Sequence, residues 1–316
     1  MLPTLNVPLT REESAGPPSL KRIVTAVDLT PHSATTARYA ADFARSVGAS
    51  LVLVHVYPDP NGPGVKADER NRQAAERALA DLTAMLRENG HACESAFLVG
   101  EPAAQVAAVA GNLDADLIVT ASHHPSVLGQ LFNRDQAPRI IHRAPCSVLV
   151  YHGSRTSAGT TPLGGGVVRR VILAPVDVMG EPAPTLEFAA ALAQKWDADL
   201  HVLYVFSAPE AVGHFHFPQG VQGAGEYRNL VSARLLEWVH RLQPRHPRTF
   251  PLFEDDQSPV DCIQETARKL HADLIVIGAH DNQGGGSWFL PCSDVDGIAR
   301  RAEAPVLVFR PKMPAP

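Results

Sequence analysis

Histidine and aspartate gather at a few points of the chain where they could hold a metal or move a proton. His123 and His124 are adjacent, His280 and Asp281 are adjacent, and His214 and His216 flank Phe215. Imidazole and carboxylate are good zinc ligands, and separate segments can supply them jointly. No histidine pair is spaced by one helical turn and no cysteine stands at ligand spacing, so these are read as solvated loop histidines and no metal is assigned. Asp28 and Asp177 each close a short apolar run. A carboxylate there could act as acid or base, but Asp is equally suited to capping the helix that follows or bonding the neighbouring loop, and a binding or structural role is expected. Gly284, Gly285 and Gly286 would let backbone N–H groups approach a phosphate, or would form a plain flexible tip. There is no G-x-S-x-G elbow, no P-loop lysine motif and no His-x-x-Gly-His motif, so an enzyme is not expected.

The elements that carry these residues occur twice. Ala-Asp-Leu-Ile-Val stands at 115–119 and again at 272–276. Asp28 and Asp177 lie 149 residues apart, and the same offset superposes the apolar run ending at Tyr57 on that ending at Phe206. The offset grows to 157 at Ala115 and Ala272, and to 160 if Ala144-Pro145 is matched to Ala304-Pro305. Growth between apolar runs is tolerable because loop closure depends weakly on length, whereas an insertion inside a strand turns its side chains to the wrong face. Each half reads as alternating strand and helix. Ala37, Ala40, Ala41 and Ala44 form one helical face, and Leu186, Ala189, Ala190 and Ala193 repeat it. Ser258-Pro259 suits a helix start. Uniformly apolar strands separated by helices belong in a parallel sheet covered on both faces, which gives two five-stranded α/β units.

A length of 316 residues agrees with two domains. The expected division is a tail at 1–20, a domain at 21–151, a linker at 152–168 and a domain at 169–312. The tail lacks the apolar core of a secretion signal, no run approaches a membrane span, and a cytoplasmic protein is expected. Four scattered cysteines fit reduced thiols. A net charge of −5 without a basic run leaves no footprint for nucleic acid.

The ordered set Ala26-Val-Asp28, Leu53-Val-His-Val56, Gly100-Glu-Pro102, Ala115-Asp-Leu-Ile-Val119 and His142-Arg-Ala-Pro-Cys-Ser-Val-Leu-Val150 resembles the universal stress protein family. Its second copy is Pro175-Val-Asp177, Leu203-Tyr-Val205, Ala272-Asp-Leu-Ile-Val-Ile-Gly278 and Ala302-Glu-Ala-Pro-Val-Leu-Val308. The resemblance implies two Rossmann-like domains of the adenine nucleotide alpha hydrolase type, packed as a pseudo-dimer through their last strands. A further homodimer is compatible with it. It also implies, for many members, ATP at the carboxyl ends of the strands. The positions that would border adenosine are Asp28 and Val56, then Asp177 and Val205.

The phosphate loop of such members follows the fourth strand with the pattern G-x2-G-x9-G-[ST]. In the first half its positions fall on Ala121, His124, Arg134 and Asp135, without a glycine and with an added negative charge. In the second half Gly278 is kept and Asp281 follows. Counting back from Ala304-Pro305 puts the last pair at Asp294-Val295, with three residues inserted. The first half is therefore not expected to bind ATP in the family's manner. Asp177, Val205, Gly278 and Gly284 to Gly286 are the candidates if the second half binds ATP or another adenine nucleotide. The function expected is a stress-response role through a small ligand or protein partner, without ATP turnover. The alternatives are a nucleotide-binding regulator using the second half, and a metal protein using His123, His124, His280 and Asp281. The apolar insertion at 207–225 is expected to pack on its own domain.

Overall fold

Short β-branched runs become strands because both their faces are covered. In chain order the elements are β1 (Arg22–Ala26), α1 (Ser33–Val47), β2 (Ser50–Tyr57), α2 (Glu69–Glu88), β3 (Cys93–Val99), α3 (Pro102–Asn112), β4 (Leu117–Ala121), α4 (Gln136–Arg143) and β5 (Ser147–Tyr151). The second half repeats them as β6 (Val171–Pro175), α5 (Ala183–Trp196), β7 (Asp199–Phe206), α6 (Ala224–Leu242), β8 (Thr249–Asp255), α7 (Pro259–Lys269), β9 (Leu274–Gly278), α8 (Cys292–Arg301) and β10 (Val306–Phe309). This computed structural model describes residues 20–59, 69–122, 136–153, 169–178, 182–207, 220–256, 258–278 and 292–311. Among them no helix is long and apolar enough to cross a membrane.

The strand order is β3-β2-β1-β4-β5-β10-β9-β6-β7-β8. Pairing is parallel within each half and antiparallel where β5 meets β10, with Val150 opposite Val306, Leu149 opposite Leu307 and Val148 opposite Val308. The two expected sheets are thus one ten-stranded sheet with a seam. That register also corrects the internal alignment. Leu149 and Leu307 face each other at the centre, an offset of 158, and the buried helical positions Ala137, Ile140, Ile141 and Ala144 recur at Val295, Ile298, Ala299 and Ala302. The shared Ala-Pro dipeptide is displaced by two residues from true equivalence, because burial on the helix and strand fixes the register and the loop between them does not.

Strand β8 supplies the fifth strand expected of the second half, at residues that the sequence pattern does not locate, and it contains Pro251. Proline donates nothing to a ladder and survives only at a sheet edge, where β8 lies.

Helices α1 and α5 bring the small faces anticipated: Ala37, Ala40, Leu186, Ala189 and Ala193 are wholly buried. Helix α3 starts at Pro102, with Glu101 accepting hydrogen bonds from the Ala103 and Ala104 amides, and α7 starts at Pro259 under Ser258. The Asp of each repeated Ala-Asp-Leu-Ile-Val has a fixed task. Asp116 Oδ2 accepts from the amides of Lys21 at 2.7 Å and Arg22 at 2.9 Å, while the Asp116 amide donates to the Arg22 carbonyl at 2.9 Å. Asp273 Oδ2 likewise accepts from the Val171 amide at 2.8 Å. The start of the fourth strand is thereby tied to the start of the first in both halves.

Each face of the sheet carries one apolar core that runs through both halves. On the first, Tyr39 stacks on Tyr151 at 4.4 Å and the equivalent Phe188 stacks on Phe309 at 4.6 Å. Phe43 meets Trp196 edge-on at 5.4 Å, and the Trp196 indole donates to Ser46 Oγ at 2.9 Å. On the second, His142 pairs with Asp296 at 3.1 Å, and His152 Nε2 lies 2.7 Å from the Ala299 carbonyl.

Asp116→Ala leaves two amides without their carboxylate and is expected to lower stability by about 1 kcal/mol, discounted for its partial exposure. Urea unfolding with an unchanged m-value checks this. Burial also pushes His55, His201 and His246 below the ordinary histidine value of 6.5. A depressed histidine favours the neutral form in the fold, so its contribution is complete above 6.5 and is lost as pH falls below it. The melting temperature should drop between neutral pH and pH 5.5, about one unit below the ordinary value, and His55→Gln should flatten that drop.

Candidate functional site

The strand order reverses direction at β1 and β4, and at β6 and β9, so the switch point of each half, where open α/β sheets generally place a ligand, lies where the chain leaves its first strand. The ladder runs one residue past each first strand. The Val27 amide donates to the Val54 carbonyl at 2.9 Å, and the Val176 amide to the Leu203 carbonyl at 2.9 Å. The chain then turns away at Asp28 and at Asp177.

Asp28 organises that turn. Its Oδ1 accepts from the Thr30 amide at 3.0 Å, the Thr30 hydroxyl at 2.8 Å and the Ser33 hydroxyl at 2.7 Å, holding the entry to α1. Between them Leu29 is left-handed at φ 59°, an unfavourable region for a branched side chain that the carboxylate turn helps to maintain. Thr30 and Ser33 were not among the residues expected. The spacing Asp-x-Thr, an Asx turn written in the sequence, was the available signal.

Asp177 stands in a different setting. Its charge bears on Tyr204 and Tyr227, whose hydroxyls lie 3.4 Å apart in a buried pair; burial first, and Asp177 in addition, hold both phenols above their ordinary range. Tyr204 is the equivalent of His55, whose Nδ1 lies 2.8 Å from the Val27 carbonyl. Near the tip of the second strand the first half therefore has an imidazole next to Phe97, and the second half a set of rings formed by Tyr204, Phe206, Tyr227 and Phe253. Arg228 lies over Phe206 and Phe253 at 5.4 and 4.8 Å.

Val56 and Val205 are 9 % and 3 % exposed and belong to the second-face core, so only their backbone can border a ligand. Gly278 ends β9 against α5: a Cβ there would stand 2.7 Å from Thr185 Oγ1. Helix packing by itself accounts for this glycine. The position holds Ala121 in the first half, where the equivalent Thr36 hydroxyl turns to the His32 carbonyl at 3.3 Å.

Val295, placed in the phosphate loop by the Ala-Pro alignment, is a core residue of α8 at 6 % exposure, and Asp294 sits in that helix's first turn. With the offset of 158 from the seam, the positions of Arg134 and Asp135 recur at Cys292 and Ser293, and the loop insertion shrinks from three residues to one. A serine thus takes the place of the family's hydroxyl in the second half. His123, His124, Arg134, Asp135, His280, Asp281 and Gly284 to Gly286 lie outside the described residues, as does most of the 207–225 insertion. Among the described residues no group of three or more His, Cys, Asp or Glu side chains could hold a metal ion.

The model of the Universal stress protein family matches residues 19–152 and again 169–310. A universal stress protein of Mycolicibacterium smegmatis is 25 % identical over 304 residues, covering 92 % of this chain and 97 % of its own length. One from Thermus aquaticus is 33 % identical over 138 residues, 41 % of this chain and 97 % of its own. The crystal structure of a universal stress protein from Archaeoglobus fulgidus superposes with a TM-score of 0.67 at 18 % identity, covering 92 % of this chain and 96 % of that one. At that identity the likeness concerns the fold.

Gly278→Ala should destabilise the protein by about 1–3 kcal/mol through overpacking, and Thr185→Ala in the same chain should recover most of the loss. A double-mutant cycle measured by denaturant unfolding checks the coupling; additive losses would mean that Thr185 is not the neighbour that matters.

Proposed function

The chain belongs to the universal stress protein family, and from that premise we propose that it acts in stress response by binding a ligand or partner at the carboxyl ends of its strands, without turning over ATP. The observation that carries this is the engagement of Asp28 with Thr30 and Ser33. A carboxylate that accepts three hydrogen bonds at a strand tip is engaged in holding the loop that enters α1, which is a positioning role. The unlike side chains near the two second-strand tips support binding of different surfaces by the two halves. Prolonged incubation with Mg-ATP should release no phosphate beyond the uncatalysed rate, and native mass spectrometry should find any small molecule retained. Repeated turnover abolished by Asp28→Ala would overturn this reading.

One observation favours a second reading, adenine nucleotide binding by the second half. Ser293 falls by register in the first turn of α8, beside Asp294, and the N–H groups of a helix start suit an anion. Asp177, Val205 and Gly284 to Gly286 would complete that site. Calorimetric titration with ATP, ADP and AMP is expected to show one site per chain, weakened at least tenfold by Ser293→Ala and by Asp177→Ala. Absence of heat at millimolar nucleotide would end it.

A further inference from the structure

The two outer edges of the ten-stranded sheet are built differently. In a parallel ladder alternate residues bond the neighbouring strand and the residues between them point their N–H and C=O groups the other way. In β8 the Arg248 carbonyl accepts from Leu200 and the Asp256 amide donates to the Phe206 carbonyl, so the even-numbered residues serve β7 and Thr249, Pro251 and Phe253 face outward. In β3 the Gly100 amide donates to the Tyr57 carbonyl, which assigns the even-numbered residues to β2 and leaves Ser95, Phe97 and Val99 facing outward. Ser95 and Pro251 are equivalent positions: Ser95 is opposite Leu53, Pro251 is opposite Val202, and Leu53 and Val202 are 149 residues apart. One edge thus carries a proline at an outward position, the usual device against strand addition, and the other carries a serine there. From Ser95 to Val99 the β3 edge has neither proline nor charge, and Val99 is among the exposed large hydrophobic side chains, at 38 %.

We propose that the β3 edge pairs antiparallel with the β3 edge of a second copy of this chain, giving a homodimer whose sheet runs on through both copies. The segment is complementary to itself. Centred on Phe97, the pairing sets Phe97 against Phe97 of the second copy and Ser95 against Val99, all outward-facing, which yields about six backbone hydrogen bonds. Glu94 then lies opposite Gly100 of the second copy, so no like charges meet across the junction. An isologous contact closes after two copies, and Pro251 at the far edge prevents growth beyond the dimer.

Sedimentation equilibrium of the full chain should give twice the chain mass at micromolar concentration. Ser95→Pro, which installs what the second half already carries at this position, should raise the dissociation constant at least tenfold with unchanged circular dichroism. Pro251→Ser should open the second edge and produce species larger than a dimer. A monomeric wild type, or a dimer indifferent to Ser95→Pro, would overturn the proposal. Should Ser95→Pro fold poorly, hydrogen exchange of the wild type decides: protection of the Ser95, Phe97 and Val99 amides must fall on dilution, and equal exchange at both concentrations refutes the pairing.

Discussion

The antiparallel pairing of β5 with β10 is the contact on which the rest of the molecule depends. Three residues of each strand, Val148 to Val150 and Val306 to Val308, are almost fully excluded from solvent there. Each such side chain contributes roughly 1.5–3 kcal/mol by its burial, and the backbone groups at the seam find partners that an isolated half could not give them. Because the strands join, the cores on both faces become continuous across the repeat. Tyr39 and Phe188 then stack at related places against the two seam strands, and α1 and α5 reach each other through Phe43, Ser46 and Trp196.

A scaffold held in this way lets its rims diverge. The Asp of each Ala-Asp-Leu-Ile-Val run works at the amino ends of the strands, where it ties β4 to β1 and β9 to β6. At the opposite rim His55 has become Tyr204 and Ala121 has become Gly278, each change matched by its neighbours: the buried hydroxyl of Tyr227 in one case and the closer approach of Thr185 in the other. Such matched changes keep packing intact while altering what the rim offers to a ligand.

Much of the fold could be read from the residues because burial imposes a period. The Ala37 to Ala44 face, its counterpart at Leu186 to Ala193, and the uniformly apolar strands were legible for that reason. Strand β8 was implied by the count of five strands in each half but its residues were not, since Pro251 is compatible with a strand only at a sheet edge. The Ala-Pro dipeptide misled the alignment by two residues because a dipeptide has no period, whereas the spacing Ile140 to Ala144 against Ile298 to Ala302 does. At the candidate site Asp28 and Asp177 were visible as strand tips, but the partners that distinguish them are partly remote. Thr30 lies two residues on and was within reach; Tyr227 lies fifty residues beyond Asp177 and its approach is decided by how α6 crosses the sheet.

The seam also sets an order of events during synthesis. β5 is complete when residue 151 has been made, whereas its partner β10 ends at residue 309. A first half that folds on emergence therefore presents an unpaired Val-Leu-Val edge while the whole second half is still being translated, at a pace of roughly 5–20 residues per second. For those seconds the edge of one nascent chain can join the same edge of another on a neighbouring ribosome, in the geometry it will later use with its own β10. Fusing two copies in one chain makes the correct partner local, but it arrives last.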